Sequence, residues 1–212
     1  AMFQGLKGNF MHTTRLLTQT LSLIAVSLLA IAYPAHAQQY AFRTLHAFGP
    51  STDNNKNFNS DGAGPLATLA LLPNGTLFGA ASKQGPNGSG TLFSVQNKAL
   101  TVAYGFTPLD ASGNNADGGM PESLAAGSDG TIYGATVAGG RFGFGTVFAY
   151  SSGKFTTLYN FPSSTGKEAN ISAGPDNSIY GTSEAGANKE GQLFKISNGA
   201  FVDLYDFPAP SG

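Results

Sequence analysis

Asp53, Asn55, Asn57, Asn59 and Asp61 alternate along one stretch of this sequence, placing an oxygen-bearing side chain on every second residue. Calcium loops offer carboxylate and amide oxygens to a hard cation with that spacing. Phe58 stands where the helix–loop–helix calcium pattern has its turn glycine, and Gly64 where it has its closing glutamate. Asn and Asp also cap their own backbone in plain surface turns. A calcium site and a turn therefore both follow from these five residues.

Paired carboxylates are the second chemistry on offer. Asp61, Asp117, Glu122, Glu168, Glu184 and Glu190 could supply the acid and base of glycoside hydrolysis. Most of them fall in turns and loops, where an acid is ordinarily solvated. Nucleophilic chemistry has almost no candidates. The sequence contains no cysteine, and of its three histidines His12 and His36 lie in the N-terminal segment. His46 occupies a slot filled elsewhere by Tyr104, Tyr159 and Tyr205, which makes it structural. Ser-His-Asp and Cys-His sites, and zinc sites of the usual ligands, are thereby excluded.

A third group suits recognition rather than reaction. Arg141, Phe142 and Phe144 share a glycine-rich loop, and an exposed aromatic beside a guanidinium fits a sugar or peptide. The alternative is that both rings fold back on neighbouring strands. The glycine-rich stretches 85–90, 139–145 and 186–191 lead into strands and not helices, so they are connections, not phosphate cradles.

The elements that position these residues are repeats. Thr76-Leu77-Phe78-Gly79, Thr131-Ile132-Tyr133-Gly134 and Ser178-Ile179-Tyr180-Gly181 are one phrase written three times. Gly90-Thr91-Leu92-Phe93, Gly145-Thr146-Val147-Phe148 and Gly191-Gln192-Leu193-Phe194 are a second. A third ends at Phe48, Phe106, Phe161 and Phe207, spaced 58, 55 and 46 residues apart. Periods of this size mark a repeat architecture. Within residues 65–106, apolar runs are separated by Pro73-Asn74-Gly75, by the Gly85–Gly88 cluster and by Asn97-Lys98. Such breaks predict four short antiparallel strands. The plan returns at 121–161 and at about 171–207, and outside the N-terminal segment no window has a sustained helical period. The expectation is an all-β, β-propeller-like chain of three full blades plus one leading strand, Tyr40 to Phe48. Closed propellers have at least ~4 blades, so three read as the first part of a larger ring or as an open arc. The aromatics at repeat spacing read as core between blades.

The first 37 residues read as a targeting segment. Met11 to Arg15 is a short basic start, Leu16 to Ala32 is largely apolar, and Ala35-His36-Ala37 is a small-x-small cleavage signal. The mature chain then begins at Gln38 and has no membrane span. Residues 1–10 precede Met11, the better start. Lys7 and Arg15 are lost with the segment and no acid is, which takes the formal charge from −1 to −3. The lack of a basic cluster argues against nucleic acid and an anionic membrane surface as partners. Without cysteine, stability must come from backbone ladders and apolar packing.

Asp117-Gly118-Gly119-Met120-Pro121, Ile132-Tyr133-Gly134-Ala135-Thr136 and Gly145-Thr146-Val147-Phe148 resemble the GloVer repeat family, tandem-repeat proteins exported by bacteria with varied C-terminal surface anchors. The third unit departs from that pattern, with Ser164 and Glu168 where Asp117 and Pro121 stand in the second. The resemblance covers nearly all of the mature chain. It implies export and surface display and brings no catalytic residues.

The function expected from these readings is a non-enzymatic exported repeat protein, with no cofactor unless calcium occupies the first loop. It serves as a cell-surface scaffold or binding module for a saccharide, a peptide or another surface protein. Its expected location is the cell surface or the medium, with the periplasm as the third compartment. The competing readings are a propeller domain of an extracellular carbohydrate-active enzyme, using acids such as Asp61 and Asp117, and a plain spacer.

Overall fold

The computed structural model describes residues 41–50, 59–162, 168–184 and 186–210. The targeting segment, Asp53, Asn55, Asn57 and Ser164 lie outside the described residues.

Within each sheet every strand turns back on its predecessor. The first sheet contains β1 (Ala70–Leu71), β2 (Leu77–Ala81), β3 (Thr91–Gln96) and β4 (Ala99–Gly105). The second contains β5 (Gly119–Ala126), β6 (Ile132–Ala138), β7 (Thr146–Ser151) and β8 (Lys154–Asn160). The third contains β9 (Asn170–Ala173), β10 (Ile179–Ser183), β11 (Gln192–Ser197) and β12 (Ala200–Asp206). Strand order follows chain order in all three, and all pairings are antiparallel. The described residues are all-β, built into three propeller-like blades.

Local chemistry fixes each hairpin. The last turn of every sheet has two central residues in the left-handed region: Asn97-Lys98, Ser152-Gly153 and Asn198-Gly199. That geometry matches the twist of the flanking strands. In the first turn an Asx side chain closes the loop: Asn74, Asp129 and Asp176 each accept from the backbone N–H two residues on.

The recurring glycine and phenylalanine explain each other. Gly79 pairs with Phe93, Gly134 with Phe148 and Gly181 with Phe194 on adjacent strands. In each pair the ring lies over the glycine, where an added methyl would overlap it. A glycine without side chain thus gains an apolar cover from across the ladder.

Between sheets, aromatics join in fours. Tyr104 stacks on Phe155 at 4.1 Å, Phe155 on Phe148 at 5.0 Å, and Phe106 meets Phe148 edge-on at 5.5 Å. The next joint repeats this with Tyr159, Phe161, Phe194 and Phe201. Ring pairs of this geometry each add ~0.5–1.5 kcal/mol beyond burial. Phe106 and Phe161 are 0% exposed, whereas Phe207, with no sheet after it among the described residues, is 45% exposed. Tyr180 is likewise 37% exposed where Tyr133 is 7%. The aromatics are core only where a following sheet covers them.

Two expected strands differ. Residues 41–48 form no strand; the segment is held by side chains instead, with Phe48 edge-on to Phe93 at 5.3 Å and to His46 at 5.1 Å. A fourth strand needs a third beside it, and none of the described residues supplies one. The run from Leu66 to Leu72 yields only a two-residue β1. Leu69 stands exposed at the place of buried Leu124, because among the described residues no sheet precedes the first to pack against it.

Candidate functional site

The second sheet is latched to the first at one end by the loop that leads into it. Asp117 in the loop before β5 accepts from Tyr104 Oη at 2.7 Å, from Thr107 N at 2.9 Å and from Thr107 Oγ1. Asn115 bridges the same loop. Its Nδ2 donates to Thr107 O at 2.8 Å and Gly118 O at 2.7 Å, while its Oδ1 accepts from Gly118 N and Gly140 N, both at 2.8 Å. Thr146 Oγ1 closes the loop on the Asp117 carbonyl at 3.1 Å. The first sheet has the same latch. Asn59 binds Gly49 O, Gly62 O and Gly62 N, Thr91 Oγ1 donates to Asp61 O, and His46 Nε2 sits 2.8 Å from Asp61 Oδ2.

These contacts set the electrostatics. Burial pushes the Asp61 carboxyl up, but hydrogen bonds from His46 and Gly49 and the charge of His46 outweigh it and hold the group below its usual value. Burial first, then the bond to Asp117 and its negative charge, raise the Tyr104 phenol. The Asp117 carboxylate and the Asn115 amide join the first sheet to the second, and those of Asp61 and Asn59 join the first sheet to the segment at His46 and Gly49. The motif Asn-x-Asp-Gly, at Asn59–Gly62 and Asn115–Gly118, was visible in the sequence as a phrase written twice. Its Asn was the part that reading the alternation as cation ligands concealed.

Of the alternating set, Asn59 and Asp61 turn their polar atoms to Gly49, Gly62 and His46. Among the described residues no three His, Cys, Asp or Glu side chains gather as a metal site. Glu122 is half-buried on β5, Glu168 lies just before β9, and Glu184 and Glu190 are exposed around the third glycine-rich loop. No helix among the described residues is long and apolar enough to cross a membrane.

Arg141, Phe142 and Phe144 lie at the same end as the latches. Their loop is pinned by Arg141 N donating to Asn160 Oδ1 at 2.7 Å and Gly145 N donating to Gly139 O at 3.0 Å. The Arg141 guanidinium lies over the Phe142 ring at 5.4 Å, and both phenylalanines are 45% exposed. In the other two loops the position of Phe142 is an Asn that caps backbone. Asn87 donates to Gly105 O at 3.3 Å and Asn188 to Phe207 O at 3.2 Å. The middle loop gives up that bond and presents an aromatic to solvent. Sequence reasoning located these residues through their types; the forfeited cap emerges only from the structure.

Blades joined by loop latches, with a presented aromatic loop at the latch end, define a propeller-like repeat protein. The chain belongs to the Gloeobacter/Verrucomicrobia repeat family, whose model matches residues 37–212. No curated protein has a matching sequence. Among solved structures, virginiamycin B lyase from Staphylococcus aureus is similar at 15% identity and a TM-score of 0.47, over 71% of this chain and 43% of that one. A gluconolactonase from Xanthomonas campestris is similar at 10% identity and 0.46, over 70% and 49%. TolB from Acinetobacter baumannii is similar at 14% identity and 0.44, over 65% and 31%. The chain spans less than half the length of each of these structures.

Proposed function

We propose that this chain is an exported, non-catalytic binding module displayed at the cell surface, and that the Arg141–Phe144 loop meets its ligand. The observation that carries the reading is the exchange at Phe142. Two sibling loops spend this position on capping backbone, and the third spends it on a solvent-facing ring beside a cation. Departures from a local structural rule concentrate at functional sites. Paired aromatic and guanidinium groups suit the face of a sugar or an aromatic peptide side chain. Asp61 and Asp117, the acids a hydrolase would draw on, are committed to the latches, which favours binding over hydrolysis. The apolar segment ending at Ala35-His36-Ala37 supports export.

Glycan and peptide arrays probed with the chain test this directly. Retention of the wild type on one probe class, lost in Phe142→Ala and Phe144→Ala, is the expected result. Silence across both arrays would leave the spacer reading in its place. N-terminal sequencing of exported protein is expected to begin at Gln38.

A further inference from the structure

Two more apolar side chains of the second unit face solvent near the Arg141–Phe144 loop. Leu109 and Met120 are each 37% exposed. Met120 also departs from a backbone rule. Its φ is 56°, in the left-handed region, where the first unit has Gly64 at 65°. Gly119 pairs with Ala138 as Ala63 pairs with Lys83, so Met120 and Gly64, each one residue on, are equivalent. Glycine holds this conformation without strain and methionine does not. The second unit keeps a long apolar side chain at the surface where its sibling has none.

One loop joins these residues to the aromatic pair. Leu109 Cδ2 lies 3.5 Å from where a methyl on Gly119, the residue before Met120, would sit. Farther along the same loop, Asn114 Oδ1 and Gly113 O lie 3.0 and 3.5 Å from where a methyl on Gly143, between Phe142 and Phe144, would sit. The loop is closed on itself. Asp110 N donates to Asn114 O at 2.8 Å and Gly113 N to Asp110 O at 3.0 Å, while Asp110 Oδ1 accepts from Ser112 N and Asn114 N. Asn115 N then ties it to Gly140 O at 3.2 Å. A surface already held in place loses little entropy on binding.

The residue types point to a class of ligand. Phenylalanine, methionine and arginine are the side chains enriched where proteins meet, and methionine adapts to varied apolar partners. A saccharide needs convergent polar groups, and those nearby are spent. The Asn115 amide makes four bonds within the loops, Asn160 Oδ1 takes Arg141 N, and Asp110 Oδ1 closes its own turn. Among the described residues the Arg141 guanidinium has a ring beneath it and no carboxylate partner. A carboxylate can take two of its N–H groups at once.

We propose that the ligand of this surface is a peptide segment with an acidic residue among apolar ones. Its carboxylate meets Arg141, and its apolar side chains meet Phe142, Phe144, Leu109 and Met120. The proposal rests on the Arg141–Phe144 loop being a binding site and adds the ligand class and two further contact residues.

An array of random decapeptides probed with the full chain supplies the ligand, and the peptide retained most strongly is titrated by fluorescence polarisation. It is expected to contain Asp or Glu beside apolar residues. Changing that acid to its amide, or Arg141→Gln in the protein, should each weaken binding about three- to tenfold, as loss of a charged hydrogen bond does. The two changes together should weaken it no further than either alone. Met120→Gly installs the residue that the first unit uses, so it should weaken binding about threefold or more without lowering the melting temperature. Leu109→Ser should weaken it similarly. Full affinity in both of these variants, or for the amide peptide, overturns the proposal; loss of binding in Phe142→Ala would then still uphold the loop as a site. Binding untouched by Phe142→Ala overturns both. Retention of glycans in place of peptides overturns the proposal and leaves the loop a saccharide site.

Discussion

The Tyr104 hydroxyl donates to the Asp117 carboxylate at 2.7 Å, tying the last strand of the first sheet to the loop that opens the second. One repeat earlier, His46 and Asp61 make the same tie at 2.8 Å. A carboxylate that is 4% exposed and accepts from Tyr104 and Thr107 cannot be removed cheaply. Asp117→Ala is expected to cost about 2–4 kcal/mol, since it orphans these donors together. Tyr104→Phe removes one donor and should cost about 1 kcal/mol. Urea unfolding of the two variants and their double mutant measures both, and the latch predicts a clear coupling between them.

The first latch should be sensitive to acid. Asp61 is held below its ordinary value in the folded state, so the folded chain binds fewer protons there than the unfolded one. Its contribution is complete above the ordinary carboxylate value and is lost as pH falls through the folded one. Because the site is partly open to water, the size is that of an exposed pair, about 0.2–1 kcal/mol. Asp61→Asn should therefore lose less stability than wild type between pH 6 and pH 3. Parallel curves for the two proteins would sink the assignment.

Asp203 runs in the opposite direction. Burial, then the hydrogen bond and charge of neighbouring Asp206, raise its carboxyl. The folded chain binds more protons there, so this group favours folding at low pH and opposes it as pH rises past the ordinary value. Asp203→Asn is expected to stabilise the chain at pH 7, with the gain vanishing near pH 3. Thermal melts at the two pH values decide it.

Gly134 tests the glycine–phenylalanine pairing. A methyl there would run into the Phe148 ring, which is fully buried and has little room to move. Gly134→Ala should cost about 1–3 kcal/mol, as overpacked cores do. The backbone at Gly134 is ordinary extended strand, so the cost is steric alone. Gly134→Ala combined with Phe148→Leu should recover part of the loss of the first substitution.

Much of this was legible in the sequence because repeats state their own alignment. The three Gly-containing phrases marked β2, β6 and β10, and the turn pairs Ser152-Gly153 and Asn198-Gly199 marked the hairpins, since few residues tolerate that geometry. Local patterns were silent on neighbours. Leu66 to Leu72 reads as a strand, but among the described residues β1 has no sheet behind it, and it shortens. The run from Asp53 to Asp61 reads equally as cation ligands or as a plain turn, and the two described members, Asn59 and Asp61, bind Gly49, Gly62 and His46.

The exposed Phe207 gives the chain a direction in which to come apart. Among the described residues the first sheet packs on one sheet and on the Phe48 segment, the second sheet on two sheets, and the third on one. In a linear array each unit is only as secure as its contacts with adjacent units. Opening should therefore begin at β12 and travel backward, sheet by sheet, like a zipper with one end undone. Amide exchange would record this as protection falling from β7 to β11.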